Sequence, residues 1–293
     1  LSVQPNALNL SGSVATTDQG APQSAELLLN LGEDANAPIV PVRVPWADKP
    51  TTVRSGTLRL SYDAAQDAGW TLRGRVGDVA RAEGQLSELR IGGRGRVNLA
   101  EGLLESIRGW VAFGMDGILP ADENLAGAIG DNLNGGLNFD FRPGNAVEFF
   151  GMNINGTEYG FKGDMLVDGL SSGITLSGDL TMGHRNLGRL SGIADRELSG
   201  QADARFRGYY VLLSGIFDID AEVLGTDITV DQPHADRLLA GSSVIRVDAR
   251  RDETGLEIAE LTVNARNLSA EASGYLNSRD SDVRARISMP DLS

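Results

Sequence analysis

The sequence has no cysteine and only two histidines, His184 and His234. Without cysteine there can be neither a disulfide framework nor a metal site built on thiolates. Neither histidine has partners at a spacing suited to catalysis or metal binding, so we expect both to be exposed structural residues. No Walker sequence occurs. We therefore predict that the chain is not an enzyme, has no catalytic residues and binds no cofactor or metal ion.

Positive charge is scarce as well. The formal net charge is −14 at pH 7, and only Lys49 and Lys162 are lysines. Nucleic-acid binding needs a cationic face that releases counterions from the phosphates, and attraction to an anionic membrane needs a similar surplus. The composition therefore argues against nucleic acid as a partner and against bulk attraction to an anionic membrane surface.

Long hydrophobic stretches are also missing. The longest apolar run, residues 209–217, is far shorter than the roughly 20 residues that span a bilayer. No charged segment followed by an apolar one resembles a signal peptide, and the chain begins with leucine. We expect these residues to be a part of a longer protein.

What the sequence does contain is a long alternation of apolar and polar residues. From Ile174 to Met182, apolar residues or glycine occupy every second position, with threonine, serine and aspartate between them. The segment Gln201–Arg207 repeats the pattern. A period of two indicates β-strands with one apolar face and one solvated face.

The same pattern predicts the fold class. We expect roughly twenty antiparallel strands of about 6–9 residues, including a separate short one at Ile228–Val230. Short helices are predicted at Asp122–Ile129, around Leu187–Ile193 and at Pro233–Leu239, and they are too short to cover a sheet. The sequence therefore predicts an all-β fold, a long curled antiparallel meander sheet forming a U-shaped groove, with a few short helices.

We place residues 1–293 in one continuous curled sheet. Two soft seams are expected within it. The first is 38–50, which carries four prolines, because proline removes hydrogen-bond donors from a ladder. The second is 116–124, before the first predicted helix.

A curled sheet with an apolar inner face could carry a lipid tail. Each methylene of the tail that leaves water gains about 0.8 kcal/mol, and the attraction is non-directional, so the tail can slide. From alternation alone, however, the same side chains fit the closed core of a sandwich better. The predicted inward-facing residues are Leu58, Leu60, Leu72, Val76, Ile91, Val97, Leu137, Phe139, Phe141, Ile174, Leu176, Leu180, Met182, Ala204, Phe206, Ile245, Val247, Leu268, Val283 and Ile287.

Arginines gather on the opposite face of two predicted strands. These residues are Arg73, Arg75, Arg90, Arg94 and Arg96. We interpret them as a solvated face offset by nearby acids. Pairing with lipid headgroups or with a partner is the alternative.

Two further patterns have ordinary structural explanations. Asp218, Asp220 and Glu222 share a strand face, and we interpret them as its solvated side rather than as a cation site. Residues 92–97 loosely resemble a dinucleotide-binding glycine motif, but the third glycine is missing and no long helix follows. We predict a strand there.

Three segments carry a resemblance to a known family. They are DLTM at Asp179–Met182, NLGRLSGIADRELSGQADARFRG from Asn186, and PHADRLLAGSSVIRVDARRDETGLEIAELTVNARNLSAEASGYL from Pro233. In these segments the chain closely resembles the TamB family, in the AsmA-like group of bridge-type lipid transfer proteins. The resemblance is clearest over 120–293, extends over 57–115 and is weak over 1–50.

The resemblance implies a fold known as a β-taco, whose hydrophobic groove transports phospholipid between the inner and outer membranes. It implies phospholipid acyl chains as ligands, a periplasmic location, and a full-length protein anchored in the inner membrane. A TamA-like outer-membrane barrel would be the partner. The family's anchor helix and partner-binding domain have no recognisable counterpart in this sequence, so that contact would involve regions not present here.

Two alternatives remain open. A member of the same family could act as a scaffold for the assembly of outer-membrane barrel proteins, with an exposed strand edge that templates a client strand. A surface adhesin or passenger-type β-solenoid is the second alternative. A solenoid predicts a strict repeat period, whereas the related segments Leu133–Gly135, Leu198–Gly200 and Leu239–Gly241 are unequally spaced.

Overall fold

Strands joined by short turns make up most of the chain. The computed structural model describes residues 8–18, 20–31, 40–42, 51–100, 102–169, 173–277 and 280–289. These residues form seventeen strands and three short α-helices, and all strand pairings with a defined register are antiparallel. The prediction of an all-β antiparallel meander with a few short helices is confirmed.

The chain divides into two compact units. The first unit comprises Leu1–Asn145 and Ile154–Thr157, and the second comprises Ala146–Asn153 and Glu158–Ser293. The expected seam at 38–50 lies outside the described residues except for 40–42. The other, 116–124, covers the end of one strand and the start of a helix. Whether either seam is soft stays a prediction.

In the first unit each strand pairs with its neighbour in the chain, except that β2 bypasses the short β3 and pairs with β4. The helix α1 follows β7, and the side chain of Asp122 caps it by accepting a hydrogen bond from the Leu125 N–H at 2.9 Å. The elements are β1 (Leu8–Thr16), β2 (Pro22–Leu31), β3 (Val40–Val42), β4 (Thr51–Asp63), β5 (Gly69–Arg81), β6 (Gly84–Ala100), β7 (Leu103–Pro120), α1 (Glu123–Ile129) and β8 (Asn132–Phe141).

In the second unit a plain meander runs from β10 to β17. Its elements, preceded by β9 (Val147–Gly156), are β10 (Tyr159–Asp168), β11 (Thr175–His184), a 3-10 turn (Leu187–Leu190), α2 (Ser191–Ala194), β12 (Ser199–Val211), β13 (Phe217–Thr229), α3 (Pro233–Leu239), β14 (Ser242–Arg251), β15 (Leu256–Ala265), β16 (Leu268–Leu276) and β17 (Ser281–Ser288). The three short helical segments lie where the sequence predicts them.

Strand lengths differ from the prediction. Strands β6 and β7 have 17 and 18 residues, and Ile228–Val230 is not a separate strand but largely the end of β13. In β5 and β7 the alternation is interrupted at Asp78 and Gly117, which have left-handed φ values of 49° and 66°. Such residues redirect the side chains that follow while the ladder continues. The interruption therefore looks like a strand end in the sequence although it is not one.

Glycines let one indole cover part of the sheet in the first unit. Trp70 on β5, Gly95 on β6, Gly109 on β7 and Phe139 on β8 lie opposite one another across the ladder. The Trp70 ring lies over both glycines, donates from Nε1 to the Arg108 carbonyl at 3.2 Å and meets the Phe139 ring at 6.0 Å between centroids. Aromatic side chains stabilise strand glycines in this way.

This packing predicts that a methyl group at Gly95 is not tolerated. A Cβ there would collide with the Arg108 carbonyl and lie 2.6 Å from Trp70 Nε1, so we expect Gly95→Ala to lower the free energy of unfolding by about 1–3 kcal/mol. Gly92, on the same strand but the opposite face, is the control, because its Cβ would meet only the Leu72 carbonyl, at 3.9 Å. Urea denaturation measures both variants, and equal losses would contradict this account.

Candidate functional site

The ladder register brings the predicted inward-facing residues together on one face of each unit. In the first unit, Leu60 lies opposite Leu72, and Val97 lies opposite Ile107. We call this surface the first apolar face. It contains the predicted residues Leu58, Leu60, Leu72, Val76, Ile91, Val97, Leu137, Phe139 and Phe141.

The second unit has an equivalent surface, the second apolar face, in which the alternation stays in phase from β10 to β17. One row across the ladder reads Met182, Ala204, Val223, Ile245, Val263, Ala270 and Ile287. The predicted residues on this face are Leu176, Leu180, Met182, Ala204, Phe206, Ile245, Val247, Leu268, Val283 and Ile287. Ile174 is the exception, because it precedes β11, where its carbonyl accepts the Leu212 N–H at 2.9 Å.

Several residues on these faces were missed by the sequence reading. On β2, Leu27 and Leu29 lie opposite Leu60 and Leu58, but the intervening Leu28 hides the alternation. On β13, Ile219 and Val223 belong to the second apolar face. Their alternation with acidic residues was a clear signal that could have identified them.

No second layer covers the apolar faces within the described parts of the two units. The extensive contacts of each strand are with the strands that flank it in the ladder and with short helices. Large apolar side chains therefore stay partly in solvent, with Met182, Val283 and Ile287 exposed by 40%, 53% and 64%. Soluble monomers rarely expose contiguous apolar patches of more than a few hundred Å². The second apolar face is therefore open to solvent at these positions, whereas Val76 on the first apolar face is buried and packs with Leu58 and Leu89.

Small residues form the floor of the second apolar face. Ala204, Ala221 and Ala249 are buried, and each lies opposite a larger residue on a neighbouring strand, for example Ala221 opposite both Phe206 and Val247. The alanines are buried between these larger side chains, so apolar residues continue from strand to strand across the ladder. Eight strands at about 4.8 Å spacing make this surface about 34 Å long.

Helical segments occupy one rim of the second unit. Strands β11 and β13 both pair antiparallel with β12, so they run in the same direction and end at the same rim. The 3-10 turn and α2 follow β11, and α3 follows β13. The 3-10 turn contacts β12 and α3 contacts β13, so the rim is built of short helices in both places.

His184 lies at this rim, and the expectation that it is exposed is wrong. It ends β11 on the second apolar face, is 8% exposed, and its ring stacks on Tyr159 at 5.9 Å. Its Nδ1 accepts the Asn186 N–H at 3.3 Å. Burial, and next the Arg189 guanidinium, lower the pKa of His184, whereas the Glu158 carboxylate raises it.

The other histidine, His234, lies at the start of α3 and is exposed as predicted.

The buried imidazole predicts a loss of stability in mild acid. Because the pKa of His184 is lower in the folded chain than in the unfolded chain, stability is fully present above the unfolded value of about 6.5 and falls as the pH drops through the folded value. Between pH 7.5 and 5 we expect the Tm of the wild type to fall by more than that of His184→Leu.

His234→Gln is the matched control, since His234 is exposed. This variant should follow the wild-type dependence of Tm on pH. If His184→Leu and the wild type lose the same number of degrees, His184 is not held in the neutral form.

The opposite faces of both units are charged. Arg75 and Arg90 share Glu88, at 2.5 and 3.4 Å, and Arg96 pairs with Asp67. The predicted offset of arginines by nearby acids is confirmed for these three. Arg73 and Arg94 lie on the same face.

In the second unit, Asp179 pairs with two arginines. Hydrogen bonds from Arg205, and next from Arg207, lower the pKa of Asp179 to about 2.

Glu222 pairs with Arg246 at 2.6 Å. Asp218, Asp220 and Glu222 lie on one face of β13, and the apolar residues of β13 lie on its other face. The three acids form the solvated side of the strand, as predicted. Among the described residues, no group of three His, Asp or Glu side chains could hold a metal ion.

The segment Gly169–Gly173 matches the Gly-x-Ser-x-Gly pattern of serine hydrolases. That pattern requires a turn from a strand into a helix, whereas this segment links the antiparallel strands β10 and β11. Residues 170–172 lie outside the described part of the chain. Residues 92–97, the other glycine-rich motif, lie within β6 as predicted.

Comparison with known proteins does not identify the chain. No family model, no curated protein and no solved structure matches it. In the part of the chain that the structure describes, no helix is long and apolar enough to cross a membrane. The function must therefore be argued from the geometry of the two apolar faces.

Proposed function

We propose that the chain provides an apolar groove that carries phospholipid acyl chains. The observation that carries the proposal is that each unit holds an apolar face, continuous across its ladder, on which large side chains such as Leu60 and Met182 stay partly in solvent. A leaflet's hydrocarbon is about half of a 30 Å core, or about 15 Å. The second apolar face, about 34 Å long, therefore accommodates a whole acyl chain.

The chemistry of the faces suits transport rather than tight storage. The described residues of these faces are mainly aliphatic, aromatic or glycine, so a tail gains about 0.8 kcal/mol for each buried methylene without directional bonds. A tail can then move from one row of side chains to the next with little change in energy. The charged headgroup stays in solvent at the rim, where it needs no buried counter-charge.

The finer assignment rests on the resemblance to the TamB family. On that basis we propose that the chain is a periplasmic segment of a bridge protein that transports phospholipid between the inner and outer membranes. The full-length protein would be anchored in the inner membrane and partnered by a TamA-like barrel. It would act without enzymatic activity, cofactor or metal ion, and without nucleic acid.

Photo-crosslinking tests the groove with a matched pair of sites. Met182 lies on the second apolar face and the adjacent Thr181 lies on the opposite face, and both are exposed. With a photoreactive amino acid at either position in cells, we expect phospholipid adducts, detected by mass spectrometry, at Met182 and not at Thr181. Equal capture at the two sites, or none at Met182, would rule out the groove.

A charge on the apolar face separates a groove from a closed core. Val247 is partly buried on the second apolar face. In a half-open groove, we expect Val247→Asp to lower the free energy of unfolding by about 0.5–3 kcal/mol, as an ordinary substitution does, because the carboxylate can reach water. The variant should fold and should no longer yield lipid adducts at Met182.

Circular dichroism and urea denaturation measure the fold of this variant. Asp248→Asn, on the opposite face of the same strand, is the control and should keep the adducts. If Val247→Asp unfolds the chain outright, the position belongs to a closed core and the groove is wrong.

A second candidate function has one observation in its favour. Strand β17 pairs with β16 on one side, and all eight of its residues are exposed. Among the described residues no strand pairs with its other side. An open edge of this kind could template a client strand during barrel assembly. The β-solenoid alternative is not favoured, because a parallel β-helix needs parallel pairing and all registers described here are antiparallel.

A further inference from the structure

The charged face of the first unit contains arginines placed directly against one another. Across the ladder, Arg59 lies opposite Arg73, Arg75 opposite Arg90 and Arg96 opposite Arg108. Directly opposed like charges destabilise a sheet. Three such pairs on four neighbouring strands lower the stability of the sheet, and a role as solvated surface does not explain them. They are more unexpected because the chain as a whole has a net charge of −14.

Acids neutralise only part of this face. Glu88 forms ion pairs with Arg75 and Arg90, and Asp67 forms an ion pair with Arg96. No acid in the described part of the chain lies at ion-pair distance from Arg59, Arg73 or Arg94. These three guanidinium groups are therefore free positive charges on the face, and Arg108, opposite Arg96, likewise has no acid of the described residues at ion-pair distance.

An exposed tryptophan and an open floor complete the surface. Trp110 on β7 lies opposite Arg94 and is 43% exposed on the charged face. Gly92 lies opposite Arg73 and one row from Arg94, and the space above it is open, because an added Cβ would meet only one atom within 4 Å. We call Arg59, Arg73, Arg94, Trp110 and Gly92 the arginine patch.

We propose that the arginine patch binds an extended acidic segment of a partner protein. The patch spans β4 to β7, which is about 14 Å at 4.8 Å per strand. Its two rows, with Arg59 and Arg73 in one and Arg94 in the other, are about 6.6 Å apart along the strands. Alternate side chains of an extended peptide have the same spacing, so two carboxylates two residues apart reach both rows.

The residue types fit such a partner. Arginine presents a planar fork that matches a carboxylate, and arginine and tryptophan are the residues that most often dominate protein interfaces. A membrane surface fits less well, because Glu88, Asp116 and Asp67 lie between or beside the arginines and would repel a continuous layer of anionic headgroups. This proposal is independent of the groove, which uses the opposite face of the same strands.

The indole N–H signals of the two described tryptophans provide the test. Trp110 lies on the charged face, whereas Trp70 is buried on the first apolar face. We expect an acetylated peptide of alternating glutamate and serine, added to the ¹⁵N-labelled chain at low ionic strength, to shift the Trp110 signal and leave the Trp70 signal in place. Raising the salt should reverse the shift, since exposed charges are screened.

Variants assign the binding to the patch. Arg73→Gln and Arg94→Gln should each weaken the binding of the peptide by at least about threefold, as the loss of one charged contact predicts. Arg284→Gln is the control, because Arg284 is 85% exposed and lies in the second unit. Arg73→Gln should fold at least as stably as the wild type, because it removes the repulsion with Arg59, so a loss of binding cannot come from unfolding.

Three results would overturn the proposal. The first is that Arg73→Gln and Arg94→Gln bind the peptide as the wild type does. The second is equal binding of a peptide in which glutamine replaces glutamate. The third is that vesicles containing phosphatidylglycerol shift the Trp110 signal while the peptide does not, which would make a membrane surface the occupant.

Discussion

The register of the ladder is the constraint on which the rest of the structure depends. Side chains alternate between faces with a period of two, so a slip of one residue between two strands would move every apolar side chain of one strand to the charged face. From β10 to β17 no such slip occurs between strands, and a local bulge such as the one between Ile258 and Leu261 shifts the alternation within β15 while both residues stay on the apolar face. Both faces result from this one constraint, because the pairing that places Val247 opposite Ala221 also places Arg246 opposite Glu222.

A sheet without a second layer gains less folding stability from its apolar side chains than a sheet that packs against one. Apolar area contributes to stability only when it leaves water, at roughly 25 cal/mol per Å², and the faces described here are only partly removed from it. The structure compensates locally. The indole of Trp70 covers Gly95 and Gly109, and large side chains cover Ala204 and Ala221. What remains exposed is a surface whose burial by a ligand would stabilise the protein and the ligand together.

The alternation in the sequence predicts which residues lie on each face of a strand. It does not predict where the strands end or in which register they pair. Of the twenty predicted inward-facing residues, only Ile174 lies outside a strand, because a period of two is a property of a single strand and needs no knowledge of its neighbours. Strand ends were less predictable, since Asp78 and Gly117 have left-handed φ values that interrupt the pattern without ending the strand. The burial of His184 depends on the ring of Tyr159 on the neighbouring strand, which the sequence shows only once the register is known.

The arginines show the same limit from the other side of the sheet. The sequence places Arg73 and Arg94 on the solvated face. Only the register shows that Arg73 lies opposite Arg59 and that Arg94 lies opposite Trp110. A like-charged pair and an ion pair have identical alternation patterns, and only the register separates them. A single folding constraint, the register, therefore fixes the composition of both faces at once, because the pairing that aligns the apolar side chains also decides which charged side chains lie opposite one another.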